Sequence, residues 1–141
     1  MNPASPAHQL LERHYAAWTA GDIEGVVDCY TADCVFEDLA LQARFEGKGG
    51  VRGFATLIIG AIPNFRWIPK HFVVDGGRCS SEWQMYGNQS GDLPGIPGNG
   101  RAFDVPGLSA IEIKDGRIHR NRDYWSLATY LQQLGLMEKP G

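Results

Sequence analysis

Cysteine is scarce in this 141-residue sequence: there are three, Cys29, Cys34 and Cys79. An odd number cannot all pair within one chain, and no C-x-x-C spacing offers a zinc site. Three reduced, buried thiols are therefore expected, in a reducing compartment such as the cytoplasm. Positive charge is scarce as well: Lys and Arg total 13 against 16 Asp and Glu, for a net charge of −3. With no basic run to track a phosphate backbone, no nucleic-acid partner is expected. Long apolar runs are missing. The longest, "ATLIIGAI" at 55–62, is too short to cross a bilayer, and the first residues lack the basic and then apolar pattern of a secretion signal. His8 and His71 have no ligand at metal spacing, so no metal and no cofactor are expected. No serine lies in G-x-S-x-G, and "GNG" at 98–100 lacks the strand-to-helix setting that phosphate binding requires.

What is present suits one globular domain over residues 1–141: 43% hydrophobic and 21% charged residues, with 18 glycines and 8 prolines punctuating many turns. Ser5-Pro6 starts a helix running to about Ala20, whose Leu10, Leu11, Tyr15 and Trp18 recur three and four apart as one buried stripe. His14 lies beside that stripe. Gly21 stops the helix, and Asp22 caps a short second one carrying Ile23, Val26, Val27 and Tyr30. "CVFEDLA" reads as a strand ending in Glu37 and Asp38. After a turn at "EGKGG", a third helix over about 50–62 ends at Pro63. Four strand-like segments follow, "FRWIPKHFVVD", "RCSSEWQMYGN", "GRAFDVPGLSAIEIK" and "RIHRNRDYW", separated by Asp75-Gly76-Gly77, a Gly/Pro-rich loop at 91–100 and Asp115-Gly116. "SLATYLQQLGL" closes the chain as a short helix.

Helices gathered first and strands later predict an α+β fold: a strongly curved antiparallel sheet shaped like a cone, its concave face closed by the N-terminal helices. The last strand carries polar residues on both faces. Alternation puts Ile118, Arg120, Arg122 and Tyr124 on one side and His119, Asn121, Asp123 and Trp125 on the other, and the second row is assigned to the interior. The aromatic and sulfur-bearing side chains Phe36, Trp67, Trp83, Met85, Phe103 and Trp125 are read as a cavity lining for a hydrophobic small molecule. The loop "SGDLPGIPGNG" reads as a flap over the mouth.

Three stretches, "LERHYAAWTAGDIEGVVDCYTADCVFED", "DGRI" and "RDYWSLATYLQQLGL", together resemble the nuclear-transport-factor-two-like superfamily, in particular its SnoaL-like polyketide cyclase, limonene epoxide hydrolase and ketosteroid isomerase group. The resemblance spans nearly the whole chain and implies the cystatin-like α+β barrel fold. It places Asp38 where the isomerases keep their proton-shuttling carboxylate, and Asp123 where cyclases and epoxide hydrolases keep theirs. It also places His14 at the isomerases' oxyanion-hole tyrosine, and Ser109 at about their protonated aspartate. Trp83 and Met85 stand where the epoxide hydrolases need an Arg and an Asp, which demotes epoxide hydrolysis to an alternative.

A carboxylate in an apolar cone is raised toward neutral pH, where it both takes and gives protons. The expectation is a cofactor-free acid/base enzyme of cyclase, isomerase or dehydratase type acting on a hydrophobic carbonyl compound. Asp123 and Asp38 would work from opposite ends of the pocket, with His14 as donor. Tyr15, Trp18, Phe36, Trp83, Met85, Phe103, Ser109, His119, Asn121 and Trp125 would contact the substrate. The alternatives are an epoxide hydrolase-like enzyme or a non-catalytic ligand-binding or dimerisation module. Exposed apolar strands such as "HFVVD" predict a homodimer.

Overall fold

The Ser5 hydroxyl accepts a hydrogen bond from the His8 backbone N–H and Pro6 opens helix α1, Pro6–Ala20, which Gly21 ends in the left-handed conformation at φ 68°. The computed structural model describes residues 5–140. Leu10, Leu11, Tyr15 and Trp18 are buried as the spacing predicts, each worth about 2 kcal/mol of apolar burial, and His14 is buried with them. Asp22 caps α2, Ile23–Asp28, through Gly25 N–H. This helix ends two residues earlier than its pattern suggests, because Tyr30 already belongs to β1, Tyr30–Asp38.

The chain then runs through β2 (Ala43–Glu46), α3 (Gly47–Ala61), β3 (Arg66–Asp75), β4 (Arg78–Asn88), β5 (Ala102–Lys114), β6 (Arg117–Trp125) and α4 (Leu127–Gln133). The six strands form one sheet in the order β2-β1-β6-β5-β4-β3, with α1 against β3 and α3 against β1. Two sequence expectations are corrected. First, the sheet is mixed rather than antiparallel, because β1 runs parallel to β6. A parallel pair needs a long connection, and everything from β2 to β5 supplies it. Nor does the sheet close into a barrel, since β2 and β3 are both edges. Second, the turn lies before residue 43 rather than at 46–50: Gln42 takes φ 54°, Ala43–Glu46 pairs antiparallel with β1, and α3 begins at Gly47. Four residues are too few for alternation to announce a strand.

A phase change in β6 matters for the site. Glu112 pairs with Arg120 but Ile113 pairs with Ile118, so β6 carries one extra residue there, as at a β-bulge. Ile118 is therefore buried on the same side as Asn121 and Asp123, and His119 is only half-buried. Strict alternation had put Ile118 outside and His119 inside.

Candidate active site

Four strands bring a row of polar side chains to the buried face of the sheet. Ser81 of β4 is the register partner of Ser109 on β5. Ser109 is the partner of Asp123 on β6, and Asp123 that of Asp38 on β1. All four are buried, the two carboxylates at 3% and 4% exposure. The two acids are thus neighbours on adjacent strands, about 5 Å apart at the backbone, which corrects the expectation that they act from opposite ends of the pocket. The parallel β1–β6 pairing, invisible to local pattern, is the reason.

The acids differ in their partners. Both oxygens of Asp38 are taken, Oδ1 by the Leu41 backbone N–H at 2.9 Å and Oδ2 by the Trp125 indole N–H at 3.0 Å. Desolvation raises its pKa while those donors pull it back. Asp123 accepts twice on one oxygen, Oδ1, from the Ser109 hydroxyl at 2.6 Å and the Asn121 amide at 2.7 Å. Among the described residues nothing bonds its Oδ2. Burial first, and the Asp38 charge second, push its pKa up to about 7, against the opposing pull of Ser109 and Asn121. Ser109 in turn accepts the Trp83 indole N–H at 2.9 Å, so its single proton is directed to Asp123.

Above the acids lies a cavity of about 50 Å³. Trp18, Trp67, Trp83, Met85, Phe103 and Trp125, all anticipated, line it together with both aspartates. The α3 face also contributes, through Phe54 and Ile58; their spacing of four marks one side of a helix but does not tell lining from core. So do Leu93 and Ile96 of the Gly/Pro loop and Tyr130 of α4. Trp67 has a buried indole N–H with no hydrogen-bond partner among the described residues. The loop is less free than a flap: buried Gln89 donates to the carbonyls of Gly91 and Ile96 and accepts the Tyr130 hydroxyl, and Leu93 and Ile96 bridge each other.

Other anticipated residues lie elsewhere. His14 does not reach the cavity: Trp18 donates its indole N–H to His14 Nε2 at 3.2 Å and the Tyr30 hydroxyl lies 2.8 Å from the same nitrogen. An indole N–H only donates, so Nε2 is unprotonated, and complete burial lowers the imidazole pKa to about 3. The ring is a neutral core group. Tyr15 is not among the residues that line the cavity; its ring borders a groove between α1 and β3, and its buried hydroxyl lies beside Ser81 and Ser109 without a well-formed hydrogen bond to either. Phe36 is fully buried behind the lining, against Tyr30 and Phe54. Ser109 and Asn121 act on Asp123 rather than on the cavity itself. His119, displaced by the bulge, meets Thr31 at 3.0 Å and Asp33 at 3.4 Å, outside the cavity lining. Among the described residues no cluster of His, Cys, Asp and Glu is arranged to hold a metal ion, and no helix is long and apolar enough to cross a membrane.

No curated protein matches the sequence. Solved structures share the fold. A hypothetical protein with a ketosteroid isomerase-like fold from Catenulispora acidiphila, in complex with trimethylamine, aligns at TM-score 0.81 and 23% identity over 91% of this chain and 93% of its own. A proposed polyketide cyclase from Pseudomonas putida aligns at 0.76 and 25% over 88% and 94%. TsrD from Streptomyces laurentii aligns at 0.85 and 24% over 97% and 100%. The family model of the SnoaL-like domain matches residues 11–121, stopping two residues short of Asp123. With most of its length matched and the cone built as that superfamily builds it, the chain belongs to the SnoaL-like family of the nuclear-transport-factor-two-like superfamily.

Proposed function

We propose that the protein is an acid/base enzyme of the cyclase, isomerase or dehydratase type, moving a proton on a hydrophobic, carbonyl-containing small molecule held in the aromatic cavity. The observation that carries this reading is the asymmetry of the two adjacent carboxylates. Asp123 has one oxygen saturated by two donors and the other free, with a pKa near neutrality. Its proton therefore comes and goes at Oδ2. Asp38 is held at both oxygens by donors that favour its ionised form, and its charge raises its neighbour's proton affinity. Two titratable groups driven apart by their surroundings divide the labour of proton transfer.

In this mechanism ionised Asp123 Oδ2 takes a proton from the carbon next to the substrate carbonyl and returns it to another carbon or to oxygen. The substrate carbonyl acidifies that C–H bond, so the step requires no cofactor. The carbonyl oxygen needs a donor, and His14 is not available to it. The donor we propose is the Trp67 indole N–H, which has no partner among the described residues and must turn toward the cavity to reach the oxygen; a dry donor stabilises developing negative charge better than water does. The same chain would act as a homodimer through the outer sheet face, where Leu108 and Tyr124 are exposed. The free thiols Cys29, Cys34 and Cys79 suit a cytoplasmic setting.

The test is solvent-deuterium incorporation at the α-carbon of a panel of small hydrophobic ketones, followed by NMR. Wild type should catalyse exchange into at least one of them, and Asp123→Asn should lose about 10²–10⁴-fold while remaining folded. Exchange by Asp123→Asn at the wild-type rate would remove the proposal.

A further inference from the structure

Among the sixteen residues that line the cavity, eight are aromatic, two are aspartates, and none is Lys, Arg or His. The arginines of β6 point the other way: Arg117 reaches Asp28, and Arg122 reaches Glu37 at 3.5 Å, both exposed. Two buried acids thus stand side by side with no counter-ion among the described residues. Burying a carboxylate in this way is costly unless something positive compensates it. The lining itself is arranged around the acids. Trp125 gives its N–H to Asp38, and Trp83 reaches Asp123 through Ser109, which holds two indole rings beside the carboxylates. Aromatic faces attract cations, most strongly when water is excluded, and neither an anion nor a phosphate finds any donor of positive charge here.

Size narrows the ligand. At ~10–15 Å³ for each water-sized occupant, the cavity of about 50 Å³ holds a group of roughly three to five heavy atoms without any movement of its walls. We propose that the molecule bound against Asp38 and Asp123 carries a compact organic cation, a tertiary or quaternary ammonium group, which the aromatic lining surrounds and the aspartates neutralise. This deepens the acid/base reading by naming the substrate class, and it rests on that reading only for the site. The ammonium seats against Asp38.

The charge state of the site sets the pH dependence. Asp123 is faced by Asp38 and the Tyr30 phenol of β1, by Ser109 of β5, by Asn121 of its own strand and by the Tyr15 phenol of α1. The phenols stay neutral, since burial raises both. The cation should therefore bind more tightly as Asp123 ionises, and should leave Asp38 as its partner when Asp123 is protonated.

Calorimetric titration with choline and with its neutral isostere, 3,3-dimethylbutan-1-ol, tests this directly, because the two differ only in the nitrogen charge. At pH 8 choline should bind about tenfold or more tightly than the alcohol. The preference should shrink severalfold at pH 6, and it should shrink in Asp38→Asn, whose amide oxygen still accepts the Leu41 N–H while its NH2 meets the Trp125 indole N–H with no acceptor between them; a thermal melt establishes that the variant stays folded. Equal or tighter binding of the alcohol overturns the proposal, as does failure of both to bind. Turnover is not read in this experiment, so loss of the cation preference and loss of the acid/base reading are separate results.

Discussion

Replacing Asp123 with Asn removes a group whose burial works against folding at neutral pH. In the folded protein its pKa stands at about 7, against an ordinary 3.8. At ~1.4 kcal/mol for each tenfold change in a proton equilibrium, the folded state loses about 4 kcal/mol between pH 4 and pH 7 as this carboxyl is forced to ionise. The sign follows from proton counting: over that window the native state holds the proton and the unfolded chain does not, so stability falls as pH rises. His14 acts in the opposite sense. Its folded pKa of about 3 lies below the ordinary 6.5, so the unfolded chain binds the extra proton and stability rises between pH 3 and 6.5 by an amount of similar size. In wild type the two slopes nearly cancel from pH 4 to 6.5, and the protein alone would conceal both. Asp123→Asn exposes them. Its amide oxygen can still accept from Ser109 and Asn121, so the variant should gain about 4 kcal/mol over wild type at pH 8, roughly 10–15 °C in Tm. Below pH 4 it should show no gain. Urea unfolding of both proteins from pH 4 to 8 reads the difference directly. Parallel pH curves, or a variant less stable than wild type at pH 8, would refute the assignment of a buried, proton-holding carboxyl.

Ser109→Ala removes one of the two donors that restrain Asp123 and leaves the Trp83 indole N–H unpaired; stability should drop by about 1–3 kcal/mol, and the Asp123 carboxyl, followed by carbon-detected NMR titration, should titrate at higher pH. Gly107→Ala would put a methyl carbon 2.2 Å from the Trp83 ring. Displacing that ring should cost about 1–3 kcal/mol and change the tryptophan fluorescence, a spectrum identical to wild type counting against the packing described. Gln89→Leu unties the loop from Tyr130 and from its own carbonyls, so amide hydrogen exchange over residues 90–100 should accelerate while the β4–β5 ladder stays protected.

Local pattern was enough for much of this protein. A capping serine before proline, apolar residues three and four apart, and glycine stops define α1. Asp-Gly turns and β-branched runs define β3 to β6 nearly to the residue, because each of these signals acts within one turn or one strand. The expectation of an acidic residue facing an apolar interior also came from alternation along 117–125. Three things lay beyond the sequence. The parallel union of β1 with β6 joins residues 85 positions apart and sets Asp38 next to Asp123. The extra residue at position 119 shifts the phase of the last strand and carries His119 out of the buried row. The destination of His14 was set by two partners, Trp18 and Tyr30, competing for one nitrogen. Pattern tells which side of an element a residue occupies. Which oxygen of an aspartate is left free, and whether any positive charge stands near it, follows only from how strands distant in sequence are brought into register and which side chains then share the enclosed space.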